Sequence, residues 1–579
     1  MLKMTRPYKR KAFFSVLTSL VALAASGCDE GGSVRLIPIY PADEQTLLDD
    51  AGVNQILVDL YAAEDREGTP ARSLTLTRGE KIHFDDIGLG PWIIVVRGLD
   101  GVGDEVVFGE THPFRIDSGE ATEVRVFIGR SSAFNFAELK PAEVASNING
   151  LMGHTATPFT DEAGEEWILV TGGYLSGGNA SADAYLINPS ELTVEKLDAK
   201  MSRPRSQHSA LAIEPPGRAP LVVIADDSSS PITSLEVYDT AERLFRTIEV
   251  PCGPSSFSGM AAALTPDLKG ELVPSGRVIL PGAVLCVVDP YGTQGAETWP
   301  SPTETAPQAP ATSVSNAAGQ ILVVDAQGSV WATSAIERSS GIDVCGGLLG
   351  DYWENMLAAR RGATLTAVGE SDRFALIGGS SPLGGNLSND WAIIELETCE
   401  ILSAVEGASG NSTVSNHPVV LDLSQSSESA PAMDLVVTSG IDEKRADSAC
   451  LLGDEDSFMA RAAVSHPVWY SEHGARTPAL RAARSGQAIV RLSNRSAWVI
   501  GGGGIDAEIF ELGAETAGFA ATSSLFSLRK PVLTAMTVLD YTDNARDLMA
   551  LLQDTDEGSY LGTLFEQQTS ATVCLFGDA

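Results

Sequence analysis

Residues 165–213, EEWILVTGGYLSGGNASADAYLINPSELTVEKLDAKMSRPRSQHSALAI, decide how the rest of this 579-residue chain is read. The apolar run 167–170 has the length of a buried strand. It ends at Gly172 and Gly173, where a backbone turns with positive φ at no steric cost. A second apolar run, 185–187, ends at Asn188 and Pro189, and residues 193–197 make a more polar, outer strand. Met201, Arg205 and His208 then lead into the next apolar segment. A short sheet of this kind hides its apolar faces only by stacking on similar sheets, so copies of the unit are expected along the chain.

They recur. Runs matching 167–170 begin near Leu221, Val278, Ile321, Phe374, Leu435, Ala497 and Leu548, at intervals of 43 to 62 residues. Eight runs predict eight units, with seven as the second count because the Ile321 unit is short and the last unit irregular. A diglycine stands at Gly172 and Gly173, Gly378 and Gly379, and Gly501 and Gly502; elsewhere the matching pair is degenerate, as at Ala225 and Asp226 or Ser439 and Gly440. Tyr185, Tyr238, Trp391 and Phe510 are aromatic residues on the expected third strands. The order of diglycine, aromatic and a basic residue ahead of the next strand resembles a kelch repeat. That resemblance spans residues 149–579, with full copies around 167, 374 and 497, and implies a β-propeller of four-stranded blades.

The chain is too long for one ordinary core, and 56 Gly and 30 Pro spread among short apolar runs favour strands and turns over helices. An all-β class follows. Residues 34–130 read as a separate β-sandwich, with strands at 34–37, 56–61, 73–77, 92–96, 106–108 and 123–126 and turns at Gly79, residues 88–91 and Asp100 with Gly101. This part resembles the transthyretin-like or immunoglobulin-like modules of exported proteins, which implies a spacer or an adhesion surface. Residues 131–148 connect the two parts. The stretch 133–139 within them is a candidate strand for closing a ring with the C-terminal unit.

Residues 1–27 read as an export signal: Lys3, Arg6, Lys9, Arg10 and Lys11 precede the uncharged, largely apolar stretch 12–25, which is too short for a membrane span. Ala25, Ser26, Gly27 and Cys28 resemble a bacterial lipobox, which implies a diacylglyceryl thioether on Cys28, an acylated new N-terminus and a tether over 28–33. A plain secretory signal, with Cys28 in a disulfide, is the alternative. Asp29 resembles an inner-membrane retention signal of enteric bacteria. Loss of the signal would remove five basic residues and no acidic one, taking the formal charge from −37 to −42. So negative a surface repels phosphate backbones and anionic headgroups, which argues against nucleic acid and leaves bilayer contact to the anchor.

Six cysteines remain, Cys252, Cys286, Cys345, Cys399, Cys450 and Cys574, widely spaced and without the CxxC or His-Cys clustering of a tetrahedral metal site. Cys252 and Cys345 fall at the ends of expected outer strands, and Cys286 and Cys399 near the third strand of the unit that follows. This suggests bridges Cys252 to Cys286 and Cys345 to Cys399, leaving Cys450 with Cys574; buried free thiols are the alternative.

No HExxH, GxSxG, Walker loop or full EF-hand series occurs. Glycines 501–504 follow a strand as a turn and lack the lysine of a phosphate cradle. The resembling galactose-oxidase-like kelch enzymes hold copper with two His and two Tyr. Here His154, His208 and His417 each precede a first strand, a repeated position that favours structural pairing, and only His466 and His473 cluster, around Trp469 and Tyr470. Acidic turns at Asp226, at Asp442 with Glu443, and at Asp554 with Asp556 read as solvated loops, with calcium or carbohydrate as the sharper alternative. The expectation is therefore a membrane-anchored exported lipoprotein of a bacterial cell envelope, without cofactor, whose propeller is a non-enzymatic scaffold for a protein or glycan. A sugar oxidase or mutarotase, and a structural part of an envelope assembly, are the competing readings.

Overall fold

The computed structural model describes residues 32–299 apart from short loops, the strands and some flanking residues between 312 and 470, and most of 481–510. The described residues are mostly β-strand, with short helices at Leu47–Asp50 and Ala142–Asn149. The all-β expectation holds; the helix Ala142–Asn149, within the connecting segment, is an addition to it.

Two sheets form first. Gly32–Ile39 lies between His83–Ile87, antiparallel to it, and Ala121–Phe127, parallel to it. The second sheet runs Arg72–Leu76, Gln55–Ala62, Gly90–Leu99, Glu105–Glu110, Gly129–Arg130, with Phe114–Ile116 paired to the start of Gly90–Leu99. Val34, Leu36, Phe84 and Val124 of the first sheet share one buried cluster with Val58, Leu60, Ile94, Val96 and Val107 of the second. The six strands expected here are all present. His83–Ile87 was not among them, because HFDDI carries too little apolar alternation to show itself in sequence.

Three strands set against six leave part of the larger sheet without a facing strand. Pairing along His83–Ile87 ends at Arg35. Beside it a cavity of about 310 Å³ opens between the sheets, its wall including Leu36, Ile56, Leu76, Ile82, Val96 and Val107.

From Met152 onward seven sheets succeed one another among the described residues. The first is the meander Met152–Thr160, Glu166–Tyr174, Ala184–Asn188, Thr193–Lys196, every neighbour antiparallel. Strand alternation sends Ile168 and Val170 into a cluster with Tyr185, Ile187, Trp498 and Ile500, and Leu169 into another with Val222, Ile224 and Tyr238 of the second sheet. Both faces are thus covered, which is why these strands read as continuous apolar runs. The stacking continues: Val223 and Val237 meet Val278 and Leu280 of the third sheet, whose Ile279 and Val287 meet Ile321 and Val323 of the fourth. The runs at 167, 221, 278, 321, 374, 435 and 497 are the second strands of the seven sheets. The run at Leu548 lies outside the described residues.

Each first strand packs on the first strand of the next sheet, and that of the seventh, Ala488–Arg491, packs on Met152–Thr160. The seventh sheet takes its fourth strand from far upstream, since Phe134–Ala137 pairs antiparallel with Ala507–Phe510. The stretch 133–139 does supply a strand, though to the unit at Ala497; the last unit, at Leu548, for which it was expected, lies outside the described residues. A disulfide between Cys252 and Cys286 ties the loop after the second sheet's outer strand to the third strand of the third sheet.

Candidate functional site

The chemistry-bearing side chains of the described residues gather where the inner ends of consecutive sheets meet. Backbone geometry comes first. Gly153 N–H donates to the Gly486 carbonyl at 2.8 Å, and Gln207 N–H donates to the Gly153 carbonyl at 2.6 Å. Gly153, Gln207 and Gly486 stand at matching places ahead of or at the start of the first, second and seventh units' inner strands. The seventh sheet therefore addresses the first as the first addresses the second.

The diglycines have a steric reason at the same junctions. Gly172 and Gly173 have φ of 64° and 82°, Gly501 and Gly502 of 72° and 81°. A Cβ on Gly172 would lie 2.6 Å from the Arg205 carbonyl oxygen and 2.7 Å from Cε1 of His208, while one on Gly501 would collide with Cε1 of His154 and lie 2.8 Å from the Leu151 carbonyl oxygen. The first glycine of each pair admits the next unit's imidazole. The second donates its N–H to that unit, Gly173 to the Arg205 carbonyl at 2.9 Å and Gly502 to the Leu151 carbonyl at 2.7 Å.

Both imidazoles are buried. His208 Nε2 lies 3.0 Å from Thr155 Oγ1 and 2.9 Å from Thr171 Oγ1, and the two hydroxyls are 2.8 Å apart. Burial pushes His208 down to about 4, with a smaller contribution from His154. It pushes His154 down to about 4 as well; the carbonyls of Ile500 and Leu151 favour the charged form without offsetting burial, and neither ring nitrogen makes a hydrogen bond of ordinary geometry. Both rings are neutral at pH 7. His154 is the third residue of its first strand, paired with Gly172, and not ahead of the strand as expected, whereas His208 does immediately precede its own.

Two buried ion pairs complete the junctions. Arg205 Nη2 donates to Glu236 Oε2 at 2.9 Å, and the backbone N–H and hydroxyl of Ser202 donate to the same carboxylate. Burial raises the Glu236 carboxyl above its usual range, the Ser202 hydrogen bonds pulling the other way. Arg484 Nε donates to Glu508 Oε1 at 2.8 Å and its Nη1 to the Gly501 carbonyl at 2.7 Å, while the N–H groups of Arg481 and Ala482 donate to Glu508 at 2.6 and 3.1 Å. In each case an arginine four residues ahead of a first strand reaches a glutamate on the third strand of its own sheet. Sequence reading singled out Arg205 but missed Arg484 and both glutamates. The signal was there, an Arg-Ser pair at the same distance before Ser209 and before Ala488.

A third cluster holds Glu110, His112, Glu166 and Ser493. Glu166 Oε2 is 2.7 Å from His112 Nδ1 and accepts the Ser493 hydroxyl at 2.6 Å; Ser493 Oγ is 3.5 Å from the same Nδ1. The composition is that of a hydrolytic triad, but the geometry is not. One ring nitrogen faces both partners and the serine proton already points at the carboxylate, so the imidazole has no route to act as its base. Asn494 Nδ2 donates to the Glu110 carbonyl at 3.1 Å, and Glu110, raised by burial, pairs with Arg66. The cluster ties the N-terminal sheets to the first and seventh units at once. The Thr155, Thr171 and His208 group fails as a nucleophile for a different reason: His208 Nδ1 has no hydrogen-bond partner, so no carboxylate orients the ring.

Among the described residues no group of three or more His, Cys, Asp and Glu is placed to hold a metal ion. Of the predicted cysteines, Cys252 and Cys286 are joined. Cys450 lies on the strand Ala449–Asp454, and Cys28, Cys345, Cys399 and Cys574 fall outside the described residues, as do His417, His466, His473, Asp226, Asp442, Glu443, Asp554 and Asp556. No protein-family model matches this chain, and no curated protein matches it either.

Proposed function

We propose that the seven sheets make one kelch-like β-propeller of seven blades, with an N-terminal β-sandwich fixed across the junction of its first and last blades. In this reading the molecule is an exported lipoprotein anchored through Cys28, and its propeller is a non-enzymatic scaffold that binds a protein or glycan of the cell envelope. The observation that carries the ring is the backbone relay through Gly486, Gly153 and Gln207, repeated from the last unit to the first and from the first to the second. The scaffold reading rests on how the inner junctions use their chemistry. Arg205 and Arg484 are committed to buried carboxylates, and His154 and His208 are held neutral inside the packing, so these groups brace sheets instead of facing a substrate. Among the described residues no helix is long and apolar enough to cross a membrane, so in this reading attachment falls to the lipid on Cys28.

Two measurements test it. Mass spectrometry of the mature chain should find a lipidated N-terminal Cys28, and Cys28→Ala should move the protein from the membrane fraction to the soluble one; an unmodified Cys28 would overturn the anchor. Envelope glycans and peptides incubated with the full chain should bind saturably and be recovered with unchanged mass, whereas recovery of an oxidised or epimerised sugar would replace the scaffold by an enzyme.

A further inference from the structure

The cavity between the two N-terminal sheets has no part in the propeller junctions, yet it has the attributes of a binding site. It measures about 310 Å³, at the lower end of the range for small-molecule pockets. Its wall is made by Leu36, Ile56, Leu76, Ile82, Val96 and Val107, of which Leu36, Val96 and Val107 belong to the buried core of both sheets. Among the described lining residues the polar ones are Arg35 and Tyr40. Arg35 reaches its register partner Glu123 at 2.9 Å on the outer face of the smaller sheet, opposite the buried Val34 and Leu36, so the polar group at the cavity is the half-buried Tyr40 phenol, held above its ordinary pKa by burial.

The shape follows from the strand count. Gly32–Ile39 is paired with His83–Ile87 only as far as Arg35, while the opposite sheet continues through Gln55–Ala62 and Arg72–Leu76. Beyond the Leu36 N–H, which donates to the Ile82 carbonyl at 3.2 Å, Leu76 and Ile56 face a space that no described strand of the smaller sheet fills. A dry apolar cavity of half this volume accommodates a benzene ring, which scales the space to about a dozen carbon atoms.

We infer that this cavity binds a single acyl chain of about a dozen carbons from a free amphiphile, with its polar head beside Tyr40. An apolar tail supplies the contacts that the lining side chains lack on one side, and an oxygen of the head accepts a hydrogen bond from the Tyr40 hydroxyl. The chain lipid proposed for Cys28 shares this chemistry, so the two sources must be separated.

The test uses the full chain carrying Cys28→Ala, titrated by calorimetry with hexanoate, dodecanoate and octadecanoate. A site of this size predicts one-to-one saturation that is tightest for dodecanoate and at least tenfold weaker for the other two. Leu76→Trp, which fills the space, should weaken dodecanoate at least tenfold while leaving the melting temperature equal or higher; Ile56→Phe serves if that protein does not fold. Tyr40→Phe should weaken dodecanoate several-fold, while Arg35→Ala, on the outer face, should leave it unchanged. Affinity that rises steadily to octadecanoate, or that survives both filling variants, would mean adsorption elsewhere and would overturn the assignment. Failure of dodecanoate to bind the Cys28→Ala chain, with binding absent in the filling variants too, overturns it as well and leaves the anchor reading untouched.

Discussion

The junction between the first and second sheets and the junction between the seventh and the first use the same parts, but their entropic settings differ. Each places a glycine of positive φ under the next unit's imidazole and relays a backbone hydrogen bond across; the buried Arg205–Glu236 pair belongs to the sheet after the first junction, and Arg484–Glu508 to the sheet before the second. The first joins residues 37 apart, as at Thr171 and His208; the second joins residues 327 apart, as at Glu166 and Ser493. Closing the longer loop costs about 2 kcal/mol more by the logarithmic dependence on loop length. Additions at the second junction offset this. Phe134–Ala137 completes the seventh sheet, and the N-terminal sheets hold both sides through His112, Glu166, Ser493 and Asn494. The junction between the second and third sheets is reinforced in another way, by the Cys252–Cys286 bridge. Identical packing is thus supplemented where the chain itself gives less help.

The largest expected effect comes from the ion pairs. Arg484 and Glu508 have fully buried side chains, and Arg205 and Glu236 nearly so, at 3% and 1% exposure. Glu508→Ala leaves a buried guanidinium unpaired and should cost about 3–5 kcal/mol in urea denaturation, with Glu236→Ala close behind. If Glu508→Ala costs under about 1 kcal/mol while Glu236→Ala keeps its full cost, the arginine–glutamate pairs of the seventh and second sheets are not equivalent braces.

Next is the covalent junction. Cys252 and Cys286 close a loop of 34 residues, and the chain-entropy account gives about 4 kcal/mol for such a bridge. Replacing both by Ala should lower stability by that order. It should also leave binding of dodecanoate unchanged, because the bridge joins the second and third sheets and the cavity lies between the two N-terminal sheets.

The imidazoles give a pH dependence whose sign follows from burial. Their folded pKa of about 4 lies below the ordinary 6.5, so the unfolded chain binds the extra proton first on acidification. Stability is complete above pH 6.5 and falls as pH drops toward about 4, by about 3 kcal/mol for each ring. Glu110, Glu214 and Glu236, raised by burial, oppose this slope over part of the range. The last unit carries Gln487 where the second carries His208. His208→Gln should therefore be tolerated within about 1 kcal/mol at pH 7, where the side-chain hydrogen bonds to Thr155 and Thr171 are re-made, and should flatten the acid limb measured by thermal melts from pH 7 to 4.

Much of this architecture was legible in the chain. Strands buried on both faces write themselves as unbroken apolar runs, so all seven second strands stood out, and the glycines with positive φ marked the junctions. Two kinds of feature stayed hidden. His83–Ile87 is short and polar on an edge, and Glu236 and Glu508 look like ordinary charged strand residues until the arginine ahead of each sheet folds back on them. Pairings between positions far apart in sequence carry no local pattern. A strand within 133–139 pairing far downstream could be anticipated, but the His112, Glu166 and Ser493 cluster could not, because His112 and Ser493 lie in loops of two sheets and Glu166 on a strand of a third.

The smallest effect discriminates best between strain and contact. Gly172, Gly501 and Gly503 all have left-handed backbones, with φ of 64°, 72° and 84°, but a Cβ on Gly503 meets nothing within 4 Å. Gly503→Ala then measures the conformational cost alone, about 1 kcal/mol. Gly172→Ala and Gly501→Ala add displacement of His208 and of His154, and each should cost about 2 kcal/mol. Equal costs at 172 and 501 mean that the seventh sheet bears on the first as closely as the first on the second. A cost at 501 no larger than at 503 means that His154 does not sit under the seventh sheet, and the proposed ring is open there.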